Sequence, residues 1–196
     1  MRTHKVLAAG AAVLTLGIVF LAGSQAADDK GPREDVDKLA ALAAKDPADL
    51  HKKAEAYAKN LDSLEDVMNL LKKRMKNGNG GFGVGPKPTG APDDGIEARI
   101  QNWGKKAPTK EQLTKDKDAL IQMADRTQAV GEIALAKPPK AAPGKDPKEW
   151  KEYSEEMVKQ SGELRKVIEG GDPKAIKDVA NKLNSSCTNC HGKFRD

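Results

Sequence analysis

Apolar residues recur along this chain at steps of three and four over four long stretches. From residue 47 to about 76, Leu50, Ala54, Tyr57, Leu61, Leu64, Met68, Leu71 and Met75 fall on one helical face, so the spacing predicts one unbroken helix. From about 110 to 136, Leu113, Leu120, Thr127 and Ala134 form a stripe with Met123, Val130 and Ile133 beside it, closed by Pro138-Pro139. From about 147 to 169 the stripe is Trp150, Tyr153, Met157, Leu164 and Ile168, ending at Gly170-Gly171. From about 173 to 192 it is Ile176, Ala180, Leu183, Cys187 and Cys190. No stretch alternates with the period of a strand.

The starts of these helices are marked by capping chemistry. Asp-Pro occurs at Asp46-Pro47, Asp146-Pro147 and Asp172-Pro173. An aspartate accepts hydrogen bonds from the free N–H groups of a first turn, and proline at the first helical position gives up no bond. Thr109 with Gln112 has the spacing of a capping box. Four amphipathic helices predict an all-α fold, an antiparallel four-helix bundle over residues 46–196. A long Gly/Pro-rich loop, "NGNGGFGVGPKPTGAPDDG", joins the first two helices. Ile96, Ile100 and Trp103 predict a short helix over one bundle end, and residues 33–45 another within an N-terminal extension at 27–45.

Residues 1–26 read differently. Arg2 and Lys5 precede the apolar run "VLAAGAAVLTLGIVFLAG", which leads to "SQA", a small-x-small site. That order predicts a secretory signal peptide cleaved after Ala26 and a periplasmic protein. The run is nearly long enough to span a bilayer, so an uncleaved membrane anchor is the rival reading.

Composition narrows the class. The net charge of +5 is spread in alternating signs, as in "KEWKEYSEEMVK", which marks solvated helix faces and not a nucleic-acid-binding surface. Aromatic residues are only 4% of the chain, so the core must be aliphatic and would gain from a large bound apolar group. The glycine-rich loop follows no strand, which argues against a nucleotide site. With no Ser/His/Asp set, phosphate loop or paired carboxylates to place, the chain does not read as an enzyme.

The chain holds two cysteines, both near its end in "SSCTNCHGKFRD". Cys187 and Cys190 project from nearly one helix face, and His191 points from an adjoining angle. A zinc site would need a fourth ligand, and His51 is the available histidine. A redox disulfide pair would sit near a helix start, where the dipole lowers the thiol pKa, and this pair sits near a helix end. Cys-x-x-Cys-His is also the attachment pattern of c-type haem, with two thioethers and His191 on the iron. That third reading fits the exported context, the lack of other cysteines and the inner-face placement, and predicts one covalent haem c.

The run "CTNCHGKFR" at the end of a last bundle helix, with Cys187, Cys190, His191, Phe194 and Arg195, resembles the cytochrome c prime and cytochrome c556 group. The resemblance implies a proximal His191 and an Arg195 beside the haem, the other reading of Arg195 being a terminal cation balancing the helix dipole. Phe194 reads as a packing residue. The resemblance also implies two alternatives across the iron. In one, a methionine of the first helix binds iron and the protein carries single electrons to redox partner proteins. In the other, an apolar residue faces a five-coordinate iron that admits small gases such as nitric oxide or carbon monoxide. Met68 is the candidate ligand, and Leu61 or Leu64 the candidate blocking residue, because the first and last helices are expected to run side by side. Members of that group often pair through their first helices, which adds a homodimer to the expected partners.

Overall fold

The computed structural model describes residues 31–75, 80–85, 87, 91, 94–140 and 142–195. The expected signal peptide and its cleavage site lie outside the described residues, as do several positions of the Gly/Pro-rich loop. Among the described residues the chain is all-helical: α1 (Pro32–Ala40), α2 (Pro47–Asn60), α3 (Leu64–Asn69), α4 (Ile96–Lys105), α5 (Lys110–Ala136), α6 (Pro147–Gly170) and α7 (Pro173–Phe194). None of these helices is long and apolar enough to cross a membrane.

Capping chemistry sets the starts as the sequence predicts. Asp46 accepts from Asp49 N at 2.9 Å, Asp146 from Lys148 N at 2.8 Å, and Asp172 from Lys174 N at 2.9 Å. Thr109 and Gln112 exchange both bonds of a capping box. At Gly171, which ends α6, φ is +69°, a left-handed conformation that glycine adopts without steric cost.

The helix expected over 47–76 is not continuous. It stops at Asn60, Leu61 is extended (ψ 124°), and Ser63 starts α3 by accepting from Glu65 N at 3.1 Å. The stretch "NLDS" supplies the reason: Asn, Asp and Ser side chains compete for backbone groups and favour turns over helix interiors. Lys137, just past α5, closes the break by donating to the exposed carbonyl ends of α2 at Ala58 and Leu61.

Around α5 the packing is dense. Every residue from Thr127 to Ala134 is buried, so this helix has neighbours on all sides. It packs on α6 most extensively, and on α1 and α2. The helix beside α7, apart from α6, is α4, and not the first long helix that the sequence suggests. Their approach is close: a Cβ on Gly104 would lie 3.1 Å from Asn181 Cα, so glycine is what allows α4 to seat there. The segment expected to cover a bundle end is therefore a bundle wall.

Two polar ties hold the periphery. Arg74, after α3, and Asp94, before α4, form a buried ion pair at 3.0 Å, the carboxylate only 1% exposed. Asp94 also accepts from Val84 N, while Arg74 donates to Gly85 O and Lys87 O. Beneath them Phe82 is buried between the guanidinium groups of Arg33 (4.8 Å) and Arg126 (4.1 Å). Elsewhere, His51 Nδ1 on α2 lies 2.7 Å from Glu132 Oε2 on α5. That hydrogen bond, ahead of the charge attraction, raises the His51 pKa above its usual value against the pull of partial burial.

Arg74→Met is expected to lower unfolding stability by about 3–5 kcal/mol, because it strands a buried carboxylate. Adding Asp94→Asn is expected to recover part of that loss in urea melts followed by circular dichroism; a loss under about 1 kcal/mol would show the pair to be dispensable. For His51 the raised folded-state pKa fixes the sign. Its stabilisation is complete below about pH 6.5 and is lost as pH rises through the raised value. The melting midpoint is thus expected to fall over that window, and Glu132→Gln to flatten the dependence.

Candidate haem site

One cavity of about 510 Å³ opens between α3, α4, α6 and α7, within the usual size range of ligand pockets. Cys187, Cys190 and His191 line it from α7, Met68 and Leu64 from α3, Ile96, Glu97 and Ile100 from α4, and Trp150, Tyr153 and Met157 from α6. Arg195, at the end of α7, belongs to the same lining. The candidate residues Cys187, Cys190, His191, Met68 and Arg195, spread over 128 positions of sequence at their widest, are thus brought to one cavity.

The break before α3 matters here. Leu64 and Met68 sit one turn apart on the redirected helix, and both face the cavity. Leu61 packs on the main core instead and is not part of the lining, and Met75 is 59% exposed. Of the first-helix candidates, only Leu64 and Met68 reach the site. The inner stripe of α7 also differs in detail from the spacing argument. After Leu183 the buried positions are Ser186 and Phe194, and both cysteines are half-buried because they form a cavity wall.

Phe194 anchors the end of α7. Its ring meets Trp150 edge-on at 5.1 Å and Tyr153 at 6.4 Å, and Trp150 Nε1 donates to Ala134 O at 2.8 Å. Lys193 pairs with Glu149 at 3.1 Å, and Lys145 donates to Phe194 O. These contacts fix the turn that carries Cys190 and His191 against α6. Three of the chain's aromatic residues, Trp150, Tyr153 and Phe194, meet here on the cavity lining.

The electrostatics favour neutral groups. Burial pushes the Cys187 and Cys190 thiols up to about 11 each. His191 is held below its usual pKa, first by burial and then by the Arg195 and Lys72 cations, with Glu97 opposing. At neutral pH the site therefore offers two uncharged thiols and an imidazole with a free nitrogen lone pair. Raised pKa values of this kind belong to buried, weakly nucleophilic cysteines and not to redox-exchange thiols.

The zinc alternative does not assemble. Among the described residues no group of three or more His, Cys, Asp or Glu side chains converges on a point. His51, its proposed fourth ligand, is engaged with Glu132 and lies outside the cavity. The sulfur and imidazole groups are instead arrayed along one wall of a roomy apolar space. That arrangement fits a flat prosthetic group lying against α7, with the thiols at its edge and the imidazole available to its metal.

Sequence reasoning did not foresee Glu97, Ile100, Asn69 and Lys72 in the lining. The amphipathic spacing of α4 was readable, but nothing in it said that α4 packs beside α7.

No curated protein and no solved structure matches the chain. Residues 139–195, which span α6 and α7 and carry the cysteines and His191, match the family described as Cytochrome C', in agreement with the resemblance read from "CTNCHGKFR", and the cofactor which that family implies is a c-type haem.

Proposed function

We propose that this protein is an exported c-type cytochrome that holds one haem covalently and passes single electrons between redox partner proteins in the periplasm. The observation that carries the reading is the shared cavity, in which the Cys-x-x-Cys-His wall of α7 and the Met68 thioether of α3 line the same space. A bound haem supplies an iron centre that gains and loses one electron, at a potential set by its axial ligands and surroundings.

The chain's own residues divide the remaining work. Cys187 and Cys190 anchor the group as thioethers, and the neutral His191 imidazole offers its lone pair to the iron. Met68 offers a second, soft ligand from a different helix. Trp150, Tyr153, Ile100 and Leu71 give the cavity apolar walls. The cations of Lys72 and Arg195 lie at the same site, where they suit the negative charge of haem carboxylates. Export rests on the charged start, apolar run and small-x-small site of residues 1–26.

A specific feature favours a second reading. Leu64 lines the cavity one turn before Met68 on the same face of α3, so a hydrocarbon as well as a thioether is available on that side. In that reading the iron is five-coordinate and binds small gases.

Three measurements separate these. The exported protein is expected to stain for haem on a denaturing gel, and Cys187→Ala with Cys190→Ala to abolish the stain. Carbon monoxide is expected to leave the spectrum of the reduced protein unchanged, and Met68→Ala to convert a low-spin spectrum to a high-spin one that does respond. A carbon monoxide shift in the unaltered protein, with no effect of Met68→Ala, would favour the gas-binding reading instead.

A further inference from the structure

Asn69, the last residue of α3, lines the cavity directly after Met68. Its side-chain Oδ1 is buried and has no hydrogen-bond partner among the described residues. A buried amide oxygen without a partner carries an uncompensated desolvation penalty, and native proteins retain few of them. The missing donor is not supplied by neighbouring backbone. The carbonyl and N–H groups around it are used in the turn that leaves α3, where Lys72 N bonds Asn69 O and Leu71 N bonds Met68 O. The atom therefore has the position and the unmet valence of a ligand-binding acceptor.

Its surroundings support that role. Glu65 lies one turn before Asn69, Lys72 lies just after it, and Glu97 and Gln101 line the cavity from α4. These groups give this side of the cavity a polar edge, while Leu64, Met68 and Leu71 give α3 its apolar face. A small molecule held in a buried site needs between two and four polar partners, and this edge provides them.

We propose that Asn69 Oδ1 is the acceptor for a small hydrogen-bond-donating ligand, water in the simplest case, held in the cavity beside Met68. Any exogenous molecule that binds iron from the α3 side must displace it. The inference rests on the haem reading above. It assigns Asn69 a selective role: ligands bearing N–H or O–H groups gain a bond on entry, whereas carbon monoxide must expel the resident molecule without replacing its hydrogen bond.

The test uses the haem-loaded, reduced protein carrying Met68→Ala, so that the iron is accessible whichever residue faces it. Carbon monoxide is the probe, and its association and dissociation rates are read by flash photolysis and by ligand replacement. Adding Asn69→Leu is expected to speed association several-fold while leaving dissociation within about twofold, because only entry requires displacement. Asn69→Ala is a second, smaller change that guards against misfolding, and the same direction is expected. Association rates unchanged in both variants would overturn the assignment. Association and dissociation changing together in both would indicate a reshaped cavity and would overturn it equally. A protein without covalent haem would sink the haem reading itself, whereas a haem-stained protein with unaltered rates would sink only the role of Asn69.

Discussion

The buried Arg74–Asp94 pair is the constraint on which the cavity depends. Arg74 lies five residues past the end of α3, and Asp94 lies two residues before α4. Those two helices supply walls of the same cavity, Leu64 and Met68 on one side and Ile96 and Ile100 on the other. The connection between them is rich in Gly and Pro. The ion pair fixes both of its ends at once. Backbone bonds from Arg74 N to Asp94 O and from Glu97 N to Leu71 O, each 2.9 Å, carry the alignment into α4 itself. A buried pair of this kind contributes little net attraction after desolvation, but removing one member is costly, so it acts as a positional lock more than as a source of stability.

Legibility in the sequence follows the range of the interaction involved. Capping is local, and the Asp-Pro and Thr109/Gln112 signals located the starts of α2, α5, α6 and α7 with almost no error. The break at Leu61–Ser63 is also local, yet the heptad stepping of apolar residues runs straight through it. There the turn preference of "NLDS" and the donation from Lys137 outweigh periodicity, which reports the face a residue occupies and not whether the helix persists. The placement of α4 beside α7 depends on contacts such as Gly104 against Asn181, across 77 positions, and no local pattern encodes such a contact. For the same reason Cys187, Cys190 and His191 could be singled out from spacing, whereas Asn69, Glu97 and Lys72 became site residues only once three helices had been assembled.

The scarcity of aromatic residues takes on meaning in this light. Trp150, Tyr153 and Phe194 form a cluster with Ala134 at one end of the cavity. The main core around α5 is largely aliphatic, with Phe82 and Trp103 its buried aromatic residues and Leu120, Met123, Ile133, Leu164 and Ile168 almost wholly buried. A chain that buries its core side chains so fully, yet leaves about 510 Å³ open beside its two thiols, has a cavity shaped for an occupant. Large bulky rings at the end, and small polar groups along the α3 and α4 edge, give that space two chemically different sides.

That asymmetry bears on what a metal centre there would do. A low-dielectric surrounding penalises net charge, and it is this penalty that keeps Cys187, Cys190 and His191 neutral. A haem held there by a neutral His191 would gain positive charge on oxidation, so the same burial would favour its reduced form. The Lys72 and Arg195 cations on the lining would act in the same direction, and Glu65 and Glu97 against it. The balance of these four side chains, two cations and two carboxylates on the lining of one cavity, would then bias how readily an iron held there gives up an electron, and each of them lies on α3, α4 or α7, or in the turns just beyond, where the Arg74–Asp94 lock holds two of the three helices in register.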